Sequence, residues 1–181
     1  AQETVGWPSF ESVYEAFTAD PVCETQIIYV PFEHINNNKN IDWFLEYKKK
    51  GLPIIHCDQY DLSTESPDIV FFMKPYDGIP MNFYIDAVNK VVERSIYIPY
   101  FVNWMAFKNI HYLINYHYRL PLQYKAWKIF DSHSYIKEYH KTLGYRNGSN
   151  VEVVGHPRFD FIHKKEGIEK EIPASWRDVI K

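Results

Sequence analysis

The sequence predicts an α/β domain built on a doubly wound parallel sheet, and three observations lead there. Six short apolar runs are spaced along the chain, several of them continuous rather than alternating. Continuous runs suit strands buried on both faces, as in a parallel sheet covered by helices. Segments with apolar residues at helical spacing lie between the runs, and glycine, proline and aspartate punctuate the junctions. Strand alternating with helix implies right-handed crossovers and helices on both faces of the sheet.

Taken in order, residues 1–7 read as the end of a strand and the loop after it. The first strand of a Rossmann-like half-domain is therefore expected to be missing or very short. Residues 9–19 place Phe10, Val13, Tyr14 and Phe17 at i, i+3, i+4 and i+7, one apolar stripe, with Ser9 as N-cap and Asp20-Pro21 as the stop. Strands are expected at 26–30, 53–55, 68–73, 94–98, 126–130 and 150–154. Helices are expected at 41–50, closed by Gly51, at 82–92, and at 132–143, closed by Gly144. Residues 101–123 are the least regular, with aromatic side chains around His111 and His117. The charged tail carries Pro173 and a short helix over 174–180.

Length and composition exclude several classes. A chain of 181 residues suffices for one domain with a real core. The aromatic share is high at 18%, and the formal net charge of -3 leaves no basic field to hold nucleic acid. Cys23 and Cys57 make neither a disulfide framework nor a CxxC zinc pair, which favours a reducing, intracellular setting. No apolar run approaches the ~18 residues of a membrane span.

In an open α/β sheet, ligands bind beyond the carboxyl ends of the strands. The positions just after strands are Trp7, Lys74-Pro75-Tyr76-Asp77, Pro99-Tyr100-Phe101, Asp131-Ser132-His133 and Gly155-His156-Pro157. Each is also an ordinary turn, where proline and glycine belong for conformational reasons. His133 and His140 lie two turns apart on one helix, roughly 10 Å along its axis and too far for one ion. No metal and no cofactor is expected. GxSxG, GxxxxGK[ST] and GxGxxG do not occur, so a nucleotide-linked donor would have to bind elsewhere.

The order of short motifs resembles one bacterial family. Trp7-Pro8-Ser9-Phe10-Glu11-Ser12-Val13-Tyr14-Glu15-Ala16-Phe17 leads to Asp20-Pro21 and Val30-Pro31. Next come Tyr60-Asp61-Leu62, Pro67-Asp68-Ile69-Val70-Phe71-Phe72, Pro75-Tyr76-Asp77 and Tyr97-Ile98-Pro99-Tyr100-Phe101. Gly155-His156-Pro157-Arg158-Phe159-Asp160, Glu171-Ile172-Pro173 and Ser175-Trp176 close the series. The chain resembles the N-terminal domain of CDP-glycerol glycerophosphotransferase-like proteins, related to teichoic-acid polymerases. The resemblance implies the N-terminal half of a GT-B fold, two Rossmann-like domains facing across a cleft. Residues 1–161 would be the acceptor-side domain. Residues 162–181 would be a linker and short helix leading toward a C-terminal nucleotide-binding domain of the same protein.

On that reading the intact enzyme moves glycerophosphate, or a glycosyl group, from a donor such as CDP-glycerol to a cell-envelope polymer or lipid-linked acceptor. It works in the cytoplasm, at or near the inner face of the membrane. Polymerases of this class carry their catalytic base in a Trp-His-Gly motif. That tripeptide is missing here, and His111 is the position the resemblance offers as base. Trp7, Glu11, Tyr76, Asp77, Tyr100 and His156 are placed along the acceptor cleft. His156 is read as mainly structural, with Gly155 and Pro157 shaping the exit turn, Phe159 and Phe161 pinning the linker, and Asp160 capping the next element. A stand-alone flavodoxin-like binding or signalling module is the alternative. A small hydrolase using His156 or His133 lacks a nucleophile motif.

Overall fold

The computed structural model describes residues 2–32, 41–102 and 110–160. It is an α/β domain with parallel strands throughout, arranged as two sheets. β1 (Ile27–Tyr29) pairs with β2 (Ile54–His56), with Ile27 opposite Ile54. β3 (Ile69–Phe72), β4 (Arg94–Tyr97), β5 (Lys128–Asp131) and β6 (Val151–Val153) form the second sheet, in the order β3-β4-β5-β6. All six expected strands are present, each within a residue or two of its expected ends. Among the described residues no strand precedes β1. Thr4–Ser9 forms a 3-10 turn instead.

α1 (Glu11–Ala19) and α2 (Trp43–Lys49) pack with β1 and β2. Their shared core is Trp7, Ile27, Tyr47 and Ile54, with Phe10, Tyr14 and Phe44 against it. Asp42 caps α2 by accepting from the Leu45 amide, 3.0 Å away. Lys48 and Lys49 fall in its last turn, where cations complement the helix dipole. Ser9 is not the cap of α1. Its hydroxyl donates to the Tyr100 carbonyl at 2.9 Å, tying the first loop to the end of β4.

The second sheet is covered from both faces. Successive strand residues point to opposite sides. From β3, Phe71 meets Phe17 of α1, ring centres 5.4 Å apart. Val70 and Phe72 turn instead toward Leu62 of α3 (Leu62–Glu65) and Val88 of α4 (Ile85–Val88). A second core joins Ile85, Tyr97, Leu122, Ala126, Ile129 and Val151. Ile129 of β5 is fully buried, as a central parallel strand requires, and Val151 of the edge strand β6 is buried as completely.

One helix expectation needs correcting, and two stretches read without a helix contain helices. The helix expected over 82–92 is only a 3-10 turn, Met81–Phe83, followed by the single turn of α4. The irregular segment contains two helices, α5 (Ile110–His117) and α6 (Pro121–Lys125). α3 arises from Asp61, whose carboxylate accepts from the Ser63 amide at 2.9 Å. α7 (Ser134–Leu143) agrees with expectation and ends at Gly144. The tail over 162–181, with its short helix, lies outside the described residues, as does Phe161. Among the described residues no helix is long and apolar enough to cross a membrane.

Candidate functional site at the carboxyl edge of the sheets

Several buried polar groups of the domain, Glu3, Lys74, Asp131, Ser132 and His156 among them, lie where the strands end. Two residues beyond β3, the Lys74 ammonium meets the Glu3 carboxylate at 2.6 Å, and both side chains are almost wholly buried. The same Nζ lies 5.3 Å from the ring centres of Phe32 and Tyr100. Two aromatic faces and one carboxylate therefore replace the water that a lysine loses on burial. The Tyr47 hydroxyl donates to the Glu3 carbonyl at 2.7 Å. Burial and the Glu3 carboxylate hold that phenol well above its usual range. Among the described residues, Glu3 Oε1 and Gln2 Oε1 are buried without a hydrogen-bond partner, so this corner retains acceptor capacity.

At the end of β5, Asp131 is 2% exposed. Its Oδ1 accepts from the Ser132 amide at 2.7 Å and from the Ser132 hydroxyl at 3.3 Å. Burial raises the Asp131 carboxyl above its ordinary value, and the two Ser132 hydrogen bonds only partly offset this. A carboxylate so tuned moves toward the range in which general bases operate.

At His156, Nδ1 accepts from the Arg158 amide at 3.2 Å. The proton must then sit on Nε2, which donates to the Pro99 carbonyl at 2.9 Å. Burial pushes the ring below its usual pKa. With both nitrogens engaged, His156 is a neutral staple between the ends of β4 and β6. Gly155 makes the turn possible at φ 85°, a conformation that glycine adopts without penalty. The Asp160 carboxylate accepts from the Ser12 hydroxyl at 2.5 Å, and Arg158 donates to the Val5 carbonyl at 2.8 Å. The element that Asp160 is expected to cap lies outside the described residues. Phe159 is 45% exposed, so these polar contacts anchor the exit segment to α1 and its loop.

The remaining expected residues are spread. Trp7 is a core side chain, 6% exposed, whose indole N–H donates to Glu11 at 3.3 Å. Glu11 is exposed at the start of α1. Tyr76 is half-buried beside Phe32, ring centres 6.4 Å apart, and Asp77 is exposed next to it. Tyr100 lies in the Lys74 cluster. His111 is exposed in the first turn of α5, while His117 at the far end of that helix meets Phe101 edge-on at 6.1 Å. Tyr100 is thus brought to the Lys74–Glu3 pair and His156 to the end of β4.

Nothing local in the sequence points to the pairing of Glu3 with Lys74, which joins residues far apart in the chain. Its one signal is a lysine directly after an apolar strand. The triplet at the end of β2 does have a local signal, three ligand-type residues in a row. There, candidate ligand atoms of His56, Cys57 and Asp58 lie within 4.8 Å of one another. His56 Nδ1 accepts from the Asp58 amide at 3.3 Å and caps a 3-10 turn. Burial, with Asp58 adding to it, pushes the Cys57 thiol up to about 11, so the sulfur stays protonated at neutral pH. Comparison of the chain with protein-family models, with curated proteins and with solved structures finds no match.

Proposed function

We infer that this chain is the acceptor-side half of a two-domain transferase of the GT-B type. The intact protein moves glycerophosphate, or a glycosyl group, from a nucleotide donor such as CDP-glycerol to a cell-envelope polymer. The observation that carries the reading is the carboxyl edge itself. It concentrates Lys74, Glu3, Tyr100, Asp131 and Ser132 in a parallel α/β domain, which is where such folds bind ligands. The sequence resemblance supplies the reaction class. The chain carries no glycine-rich phosphate loop, which accords with a donor held by helix N-termini and cations of a second domain.

On this reading Tyr76, Asp77 and Tyr100 contact the acceptor. The acceptor hydroxyl loses its proton to a base on this side of the cleft. His111 is the base that the resemblance offers, and Asp131 is the base that its burial offers. The test is a CDP-glycerol-dependent transfer assay on the full-length protein. Tyr100→Phe should raise the acceptor KM and leave the donor KM unchanged. Removing the true base, by His111→Ala or Asp131→Asn, should lower kcat by about 10²–10⁴-fold. The isolated chain should show no turnover, and robust turnover by it would sink the two-domain reading.

A further inference from the structure

Between the two sheets runs a groove of about 550 Å³. One wall is β1, through Ile27 and Ile28, and the other is all four residues of β3; neither β2 nor β4 reaches it. Phe10, just ahead of α1, and Val13, Tyr14 and Phe17 of that helix roof the groove, and Leu62, Phe83 and Val88 floor it. We propose that this groove is the seat of one further parallel strand, apolar on both faces, formed by the polypeptide that runs directly into Gln2. With it in place, the two sheets become one.

The backbone of β3 states the need. The Phe72 carbonyl accepts from the Ile98 amide, and the Asp68 carbonyl accepts from the Arg94 amide. Residues 68, 70 and 72 thus turn their peptide groups toward β4. By alternation, Ile69 and Phe71 turn theirs away from β4 and toward the groove, and among the described residues no strand pairs with β3 on that side. Backbone groups inside a domain are almost always paired. A small apolar ligand would fill the space and leave them unpaired, whereas a strand bonds to β3 on one side and lies along β1 on the other.

The helix above the groove has the same requirement. The apolar stripe of α1 is the clearest helical signal in the sequence, yet none of its residues is buried. A helix with that stripe requires a surface beneath it, and here the surface is the groove. β3 itself reads as a core strand in sequence but is only half-buried along its whole length.

Direction and occupant are set by the anchor at the groove's mouth. Glu3 is held by Lys74, just beyond β3, and by Tyr47. Chain arriving at Gln2 through the groove therefore travels toward the carboxyl ends, parallel to its neighbours. It then crosses by way of α1 to β1, a right-handed crossover. The resulting order, β2-β1-new-β3-β4-β5-β6, is the doubly wound order in which the first strand lies centrally. Gly6 fits the turn after such a strand, because a Cβ there would press on the Met73 side chain. With apolar roof and floor, the occupant is a continuous run of about four to five valine, isoleucine or similar residues.

The inference stands independently of the transferase reading, since its test measures no activity. The chain is extended directly ahead of Ala1 by about six residues rich in valine and isoleucine, and a control carries a proline in the middle of the same run. The extension should slow amide exchange at Ile69 and Phe71 by at least about 100-fold and raise the melting temperature, and the proline control should do neither. Unchanged exchange at both amides overturns the proposal. So does equal binding of the dye ANS by the extended and parent chains, which would make the groove a small-molecule pocket. The reading frame of the source gene gives a second measurement that does not depend on the extended chain folding. Codons immediately upstream of Ala1 should encode the apolar run, and a polar or proline-rich stretch there would overturn the assignment.

Discussion

His140 shows how strongly position governs a single side chain. It is 5% exposed on α7 and meets the Tyr118 ring edge-on at 4.8 Å. Burial lowers its pKa to about 4. Between that value and the ordinary one near 6.5, the unfolded chain binds a proton that the folded chain refuses. Its contribution to stability is therefore complete above pH 6.5 and lost as the pH falls toward 4, by up to about 3 kcal/mol. Denaturant melts from pH 7 to 4.5 should show that slope, and His140→Leu should flatten it. Asp131 has the opposite sign, because its raised pKa favours the protonated, folded form as the pH falls. The Lys74–Glu3 pair makes a sharper case. Removing one partner leaves a buried charge alone, so Lys74→Met should cost about 3–5 kcal/mol. Adding Glu3→Gln to that variant should recover a large part of the loss. A double-mutant cycle by denaturation measures the coupling, and additive losses would contradict a direct pair.

At the scale of elements, the two sheets differ in how completely their residues are used. β5 is enclosed, with Ile129 at 0% exposure between α6 and the neighbouring strands. Ile129→Ala should cost about 2–5 kcal/mol through lost burial and the cavity left behind. Phe17 is larger but roofs a groove, so Phe17→Ala should cost less than about 2 kcal/mol in this chain. Urea unfolding of both variants compares them directly. The exit segment after β6 gains its hold from polar contacts, with Asp160 and Arg158 reaching Ser12 and Val5. It fastens the last strand's end to the first helix, which brings the two ends of the described chain together.

At the scale of the whole molecule, division into a two-stranded and a four-stranded sheet should appear as two levels of stability. A two-stranded unit buries little of its own edges and opens more easily. Native-state hydrogen exchange should find Ile55 opening at a lower free energy than Ile96 or Ile129. Equal values would mean that the cores already act as one. Much of this architecture was legible in the chain, because continuous apolar runs such as Ile69–Phe72 have one economical use, a strand between two helical layers. α5 was not legible, since aromatic residues and histidines have middling helix propensity and packing decides their state. The carboxyl-edge positions could be named in advance from the strand ends. Their partners could not, because Glu3 with Lys74 and His156 with Pro99 join residues far apart in sequence. The sequence by itself determined the strands, their parallel arrangement and the edge where polar residues collect, for hydrophobic periodicity is a local signal. Only the tertiary structure decided that His156 is a neutral staple, that Lys74 is paired, and that a groove lies between β1 and β3. Each of these depends on which distant groups meet, and burial and hydrogen bonding set a side chain's charge and role only once they have met.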